Sequence, residues 1–158
     1  MYSMDTQKSK GLRNDQIGAS HAISSFFTLE KKEAAIVIMP TGSGKTAVLM
    51  MTPYMLCKQR LLVVTPSKMV RGQITEDFAE LRTLCVANVF KGSMKKPKVF
   101  ELEHLFKEEF IPQLEDADVI VATPNCALSL SESEWAKEKI DLVEVDEAHH
   151  TPAKTWQQ

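Results

Sequence analysis

The chain has 158 residues, of which 44% are apolar and 25% charged, the make-up of an ordinary folded domain. No apolar run comes near the ~18 residues of a membrane helix, and the polar first eleven residues lack the apolar centre of a secretion signal. A net charge of −2 gives no global positive field, so any contact with nucleic acid has to come from a local patch.

Residues 1–10 are expected to form a flexible N-terminus, with one folded domain over 11–158. Five short apolar runs follow, at 34–39, 61–65, 85–90, 119–122 and 140–145. They are rich in branched residues and do not alternate, which predicts strands buried on both faces and hence a mainly parallel sheet. Between them the spacing turns helical: Ile74, Phe78 and Leu81 form one stripe, and Leu102, Leu105, Phe106 and Phe110 another. Strand alternating with helix predicts an α/β doubly wound sheet. Pro40, Pro66 and Pro124 each come directly after a predicted strand and mark its end, because proline cannot donate to a ladder. The loops they open lie on the carboxyl edge, where open α/β sheets bind ligands. Pro53 predicts either a kink or a new helix capped by Thr52. Lys91, Lys95, Lys96 and Lys98 precede Glu101, Glu103, Glu108 and Glu109, which predicts a solvated surface helix. Cys57, Cys85 and Cys126 are odd in number and far apart. They predict reduced, mostly buried thiols in a cytoplasmic protein.

Pro40-Thr41-Gly42-Ser43-Gly44-Lys45-Thr46 is built to hold a triphosphate. Gly42 and Gly44 allow positive φ and let backbone N–H groups approach phosphate oxygens. The helix that opens there adds unpaired N–H groups and about half a positive charge. Lys45 is expected to reach the β- and γ-phosphates, and the Thr46 hydroxyl to ligate Mg2+. Met39 stands where the usual pattern has glycine or alanine.

Asp146 and Glu147 end the last apolar run. A carboxylate at a strand tip can hold magnesium through water, and its neighbour can orient and deprotonate an attacking water. His149 and His150 lack the spacing of a zinc site. Glu144, inside the predicted strand, demands a cationic partner or an open strand face.

With these motifs the chain resembles the ATP-binding half of a superfamily-two helicase of the DEAD/DEAH-box type, in the restriction-enzyme and repair-helicase branch. The resemblance runs from about residue 11 to 158 and implies a three-layer RecA-like P-loop NTPase fold. Residues 40–46 resemble motif I, and Asp146-Glu147-Ala148-His149 resembles motif II. Leu62-Val63-Val64-Thr65-Pro66-Ser67 is similar to motif Ia, and Val121-Ala122-Thr123-Pro124 to motif Ib. The family's use of those loops implies that Thr65, Pro66, Ser67, Thr123 and Pro124 hold a nucleic-acid backbone, DNA in preference to RNA. Leu12-Arg13-Asn14-Asp15-Gln16 resembles the element whose glutamine reads adenine, here Gln16 with Arg13 beside it. It lacks the aromatic residue often found just before that glutamine.

The resemblance also implies parts beyond Gln158: a motif III loop and a second motor domain, in cis or in trans, supplying an arginine finger. The motif III strand would insert between the phosphate-loop strand and the Asp146 strand. The 158 residues alone are therefore expected to form a sheet incomplete at its C-terminus and to hydrolyse ATP slowly. A catalytically inert, nucleotide-dependent binding module is the alternative. A small-metabolite kinase is disfavoured, since it has no need of two adjacent carboxylates.

Overall fold

A computed structural model describes residues 11–29, 33–90 and 95–147. In chain order the elements are α1 (Asn14–Thr28), α2 (Lys45–Met55), β1 (Leu61–Val64), α3 (Lys68–Glu80), α4 (Arg82–Val86) and β2 (Val99–Leu102). A 3-10 turn (Glu108–Phe110) leads into α5 (Ile111–Asp116), β3 (Val119–Ala122), α6 (Pro124–Ser131), α7 (Glu134–Lys139) and β4 (Leu142–Val145). They form two units: Met1–Cys57 with Leu81–Lys95, and Lys58–Glu80 with Lys96–Gln158. The expected flexible N-terminus lies outside the described residues.

The second unit holds a four-stranded, all-parallel sheet in the order β2-β3-β1-β4. Its order follows from composition. Leu61-Leu62-Val63-Val64 and Val119-Ile120-Val121-Ala122 are buried at every position, so they take the two central places, where both faces are covered. β2 and β4 carry charged residues and are only partly buried, so they lie outside. Register sets Leu62 beside Ile120 and Val64 beside Ala122. With Leu102, Leu114, Cys126, Ala127, Leu130 and Ala136 these side chains make one core cluster, with Phe100, Phe106, Phe110 and Trp135 packed against it. α3 packs on β2 and β3. Arg60 joins strand starts to the helical layer, donating to the carbonyls of Ala117 (3.1 Å) and Glu115 (2.9 Å).

The first unit is helical, with α2 packed against α1 and α4. Tyr54 meets Phe90 edge to face at 4.9 Å, a favoured aromatic geometry.

Several expectations are corrected. Residues 85–90 are not a strand: α4 takes their start, and Cys85 and Val86 are exposed. A strand buried on both faces could not expose two adjacent apolar residues. Residues 34–39 have no strand partner among the described residues, and Ile36 and Ile38 are 86% and 91% exposed. β2, by contrast, arises where a helical stripe and a solvated acidic helix were expected. Leu102 ends that strand, Glu101 sits within it, and Leu105 is exposed. Pro53 starts no new helix; α2 runs through it, and the Thr52 hydroxyl donates back to the Val48 carbonyl at 2.8 Å. Cys57 and Cys85 are exposed and only Cys126 is buried, so the thiols are not mostly buried. Glu144 lies on an edge strand whose four residues all keep some solvent exposure.

Candidate nucleotide and nucleic-acid site

In the first unit the phosphate loop is a tight turn closed by Ser43 N–H donating to the Pro40 carbonyl at 3.2 Å. Gly42 (φ 77°) and Gly44 (φ 83°) are both left-handed, a conformation that costs other residues about 1–2 kcal/mol. Gly44 is the N-cap of α2, whose first turn carries no acidic residue. The helix start therefore keeps its unpaired N–H groups and positive dipole end for an anion. Ser43 is buried and its hydroxyl has no hydrogen-bond partner among the described residues. A cradle shaped by two left-handed glycines, with a buried hydroxyl still to be satisfied, fits a polyphosphate.

The upstream element reaches this loop directly. Gln16 Nε2 donates to the Gly44 carbonyl at 3.1 Å, and Arg13 donates to the Gly42 carbonyl at 2.6 Å. Gln16 Oε1 accepts the Arg13 backbone N–H at 2.8 Å, so both ends of the amide are engaged by the chain itself. A Cβ at Gly44 would collide with Gln16 Nε2. Thr41 and Gly42 are exposed, while Lys45 and Thr46 are half-buried at the start of α2.

In the second unit, three adjacent strands release their loops along one carboxyl edge. Residues Thr65, Thr123 and Asp146 each directly follow the last residue of β1, β3 and β4, and the register brings those ends level. Thr65 N–H donates to the Ala122 carbonyl and Asp146 N–H to the Val64 carbonyl, both at 2.9 Å. Glu147 is left-handed (φ 53°), so the chain turns off the strand line between the two carboxylates. Ala148, His149 and His150 lie outside the described residues.

The two predicted nucleic-acid loops differ in access. Thr65 is buried, its hydroxyl set toward the carbonyls of Ala122 and Ser67. Ser67 is exposed and accepts the Val70 N–H at 3.3 Å at the head of α3. Pro66 and Pro124 are half-buried; Thr123 is the N-cap of α6 and Pro124 its first residue.

One ion pair was missed by the sequence reading. Arg71, buried on α3, donates to Glu101 at 2.6 Å and to the Leu102 carbonyl at 3.3 Å. Its signal was present: Arg71 falls on the same helical stripe as Ile74 and Phe78. Among the described residues no group of His, Cys, Asp and Glu could hold a metal by itself, and no helix is long and apolar enough to cross a membrane.

A parallel α/β sheet and a glycine loop opening a helix define the N-terminal ATP-binding domain of a superfamily-two helicase. The chain matches the family model "Type III restriction enzyme, res subunit" over residues 9–158 and belongs to that family. No curated protein matches it at significant similarity. Among solved structures, the UvsW helicase from bacteriophage T4 is similar in fold, with a TM-score of 0.59 and 16% identity over 98% of this chain and 49% of that one. A hypothetical ATP-dependent RNA helicase from Sulfolobus tokodaii aligns with a TM-score of 0.48 and 24% identity, over 87% of this chain and 42% of that one. The chain thus spans about half the length of the solved helicases it matches.

Proposed function

We propose that this domain belongs to a cytoplasmic motor that couples ATP hydrolysis to movement on DNA. The carrying observation is the phosphate cradle: left-handed Gly42 and Gly44, the open start of α2 and the unsatisfied Ser43 hydroxyl. Thr41 to Thr46 would hold the triphosphate, with Lys45 as the cation at its outer phosphates. Thr46 and Asp146 are the residues that would ligate Mg2+, which supplies charge neutralisation when bound. Glu147 would hold the attacking water and take its proton. Arg13 and Gln16 would shape the loop's rear and meet the base.

Ser67, Thr123, Pro66 and Pro124 would follow a phosphate backbone, with Thr65 holding the loop from within. Such contacts bind without reading bases, so affinity should fall with salt and depend little on sequence. The exposed Ile36 and Ile38 in one unit, and Val143 at 53% exposure on the outermost strand of the other, support a reading in which further strand and a second motor domain complete the enzyme.

Titration with a fluorescent ATP analogue tests the core of this reading. Wild-type protein should bind in the presence of magnesium, and Lys45→Ala should lose most of that affinity. Equal binding by the two proteins would remove the nucleotide assignment. Rapid, multiple-turnover hydrolysis stimulated by DNA in these 158 residues alone would overturn the need for a second domain. Tighter binding of RNA than of DNA at one salt concentration would reverse the choice of substrate.

A further inference from the structure

Away from the carboxyl edge, the second unit carries an open groove of about 550 Å³. It lies where the chain after β2 meets the elbow between α6 and α7. α6 starts at the edge with Pro124 and is about 12 Å long, so Ser129 to Glu134 stand at its far end. Phe106 and Trp135 line the groove with Glu108, Glu132 and Glu134. Glu134 is bonded to Lys137 at 2.6 Å, but Glu108 and Glu132 have no ion-pair partner among the described residues.

The walls are set in advance. Phe106 N–H donates to Ser129 Oγ at 3.1 Å, tying the loop to α6. Ser133 Oγ accepts the Ala136 N–H at 3.1 Å and donates to the Leu130 carbonyl at 2.7 Å, which fixes the elbow. Trp135 already shows what its ring accepts: the Arg60 guanidinium lies over it, 5.4 Å from the centroid. That guanidinium donates to the Ala117 and Glu115 carbonyls and makes no ion pair with the groove's glutamates among the described residues. The indole N–H is buried without an acceptor among the described residues.

We propose that this groove docks an arginine-bearing peptide segment of a partner protein. Aromatic faces beside unneutralised carboxylates suit a guanidinium, which stacks and pairs at once. The same carboxylates repel a phosphate backbone, so the groove is a protein surface on a face separate from the nucleic-acid loops.

The test uses the full chain carrying Trp156→Phe, which leaves Trp135 as the indole reporter. Acetyl-Gly-Leu-Arg-Leu-Arg-Gly-amide should change its fluorescence saturably, and the same peptide with glutamate for arginine should not. Glu108→Gln with Glu132→Gln should weaken binding roughly three- to tenfold, the size expected for two solvent-exposed ion pairs. Glu76→Gln, on exposed α3 surface, should leave it unchanged. Three results would overturn the proposal: no saturable signal with the arginine peptide, equal affinity in the double glutamine variant, or saturation of the same signal by oligothymidine.

Discussion

Gln16 Nε2 donates to the carbonyl of Gly44 at 3.1 Å, so the residue expected to read adenine also holds the phosphate loop from behind. The same carbonyl accepts the Ala47 N–H that begins α2. One oxygen therefore couples the upstream element, the loop and the helix start. Removing the amide should act on the phosphates as well as on the base. Gln16→Ala is expected to weaken ATP by about two- to tenfold, the equivalent of one ordinary hydrogen bond, and to weaken GTP by a similar factor. A calorimetric loss seen with ATP alone would make Gln16 a base reader and nothing more.

The two loop glycines should respond differently to alanine. At Gly42 a Cβ meets nothing within contact range, so Gly42→Ala carries only the left-handed backbone penalty, about 1–2 kcal/mol. At Gly44 the Cβ displaces Gln16 Nε2, so Gly44→Ala should cost about 1 kcal/mol more through the lost hydrogen bond. In a Gln16→Ala background that excess should vanish. Thermal unfolding of the four combinations measures the difference, and an excess that persists would place the clash elsewhere.

The Arg71–Glu101 pair should matter far more than the surface pairs. The Arg71 side chain is 6% exposed and that of Glu101 26%, and the bond fastens α3 to β2. Glu101→Ala leaves the buried guanidinium only the Leu102 carbonyl and Glu103 at 3.9 Å and should cost about 2 kcal/mol, the value of a charged hydrogen bond. Glu80→Ala breaks the Lys96 pair, in which both side chains are more than half exposed, and should cost less than about 1 kcal/mol. Comparable losses in urea unfolding would show that Arg71 finds another partner.

On the carboxyl edge, burial sorts the loop residues. Thr65→Val should leave DNA affinity and its salt slope near wild type, because the hydroxyl faces the Ala122 and Ser67 carbonyls rather than solvent. Exposed Ser67 and half-exposed Thr123 should show the loss when changed to alanine. Filter binding across a salt series would expose the opposite order, if that is the true one.

What could be read in advance follows from where each stretch gets its burial. β1 and β3 were legible because a central parallel strand is apolar at every position, and each was followed by a proline marking its end. β2 was not, because Val99-Phe100-Glu101-Leu102 borrows its stability from Arg71, thirty positions earlier. Residues 85–90 were apolar enough for a strand, yet Leu81 before them and Asn88 within them adopt left-handed φ, and α4 takes their start instead. The phosphate loop was plain because phosphate chemistry restricts it residue by residue. The inward turn of Thr65 was hidden, since sequence names a hydroxyl without giving its direction.

Glu147 offers the sharpest separation between chemistry and stability. Its φ of 53° is sparsely populated for a long side chain, and such strain is commonly retained where function demands the residue. Glu147→Gly removes the strain together with the carboxylate and its contacts, so stability should stay within about 1 kcal/mol of wild type while ATP hydrolysis ends. Glu147→Gln keeps the strain and loses the base, so nucleotide should bind as in wild type and persist unhydrolysed when a second motor domain is supplied. An inert nucleotide-binding module predicts that Glu147→Gln matches wild type in every turnover assay. Measuring melting temperature and phosphate release on both variants distinguishes the two readings: lower activity with stability near that of wild type identifies a catalytic carboxylate, and unchanged activity removes Glu147 from the reaction.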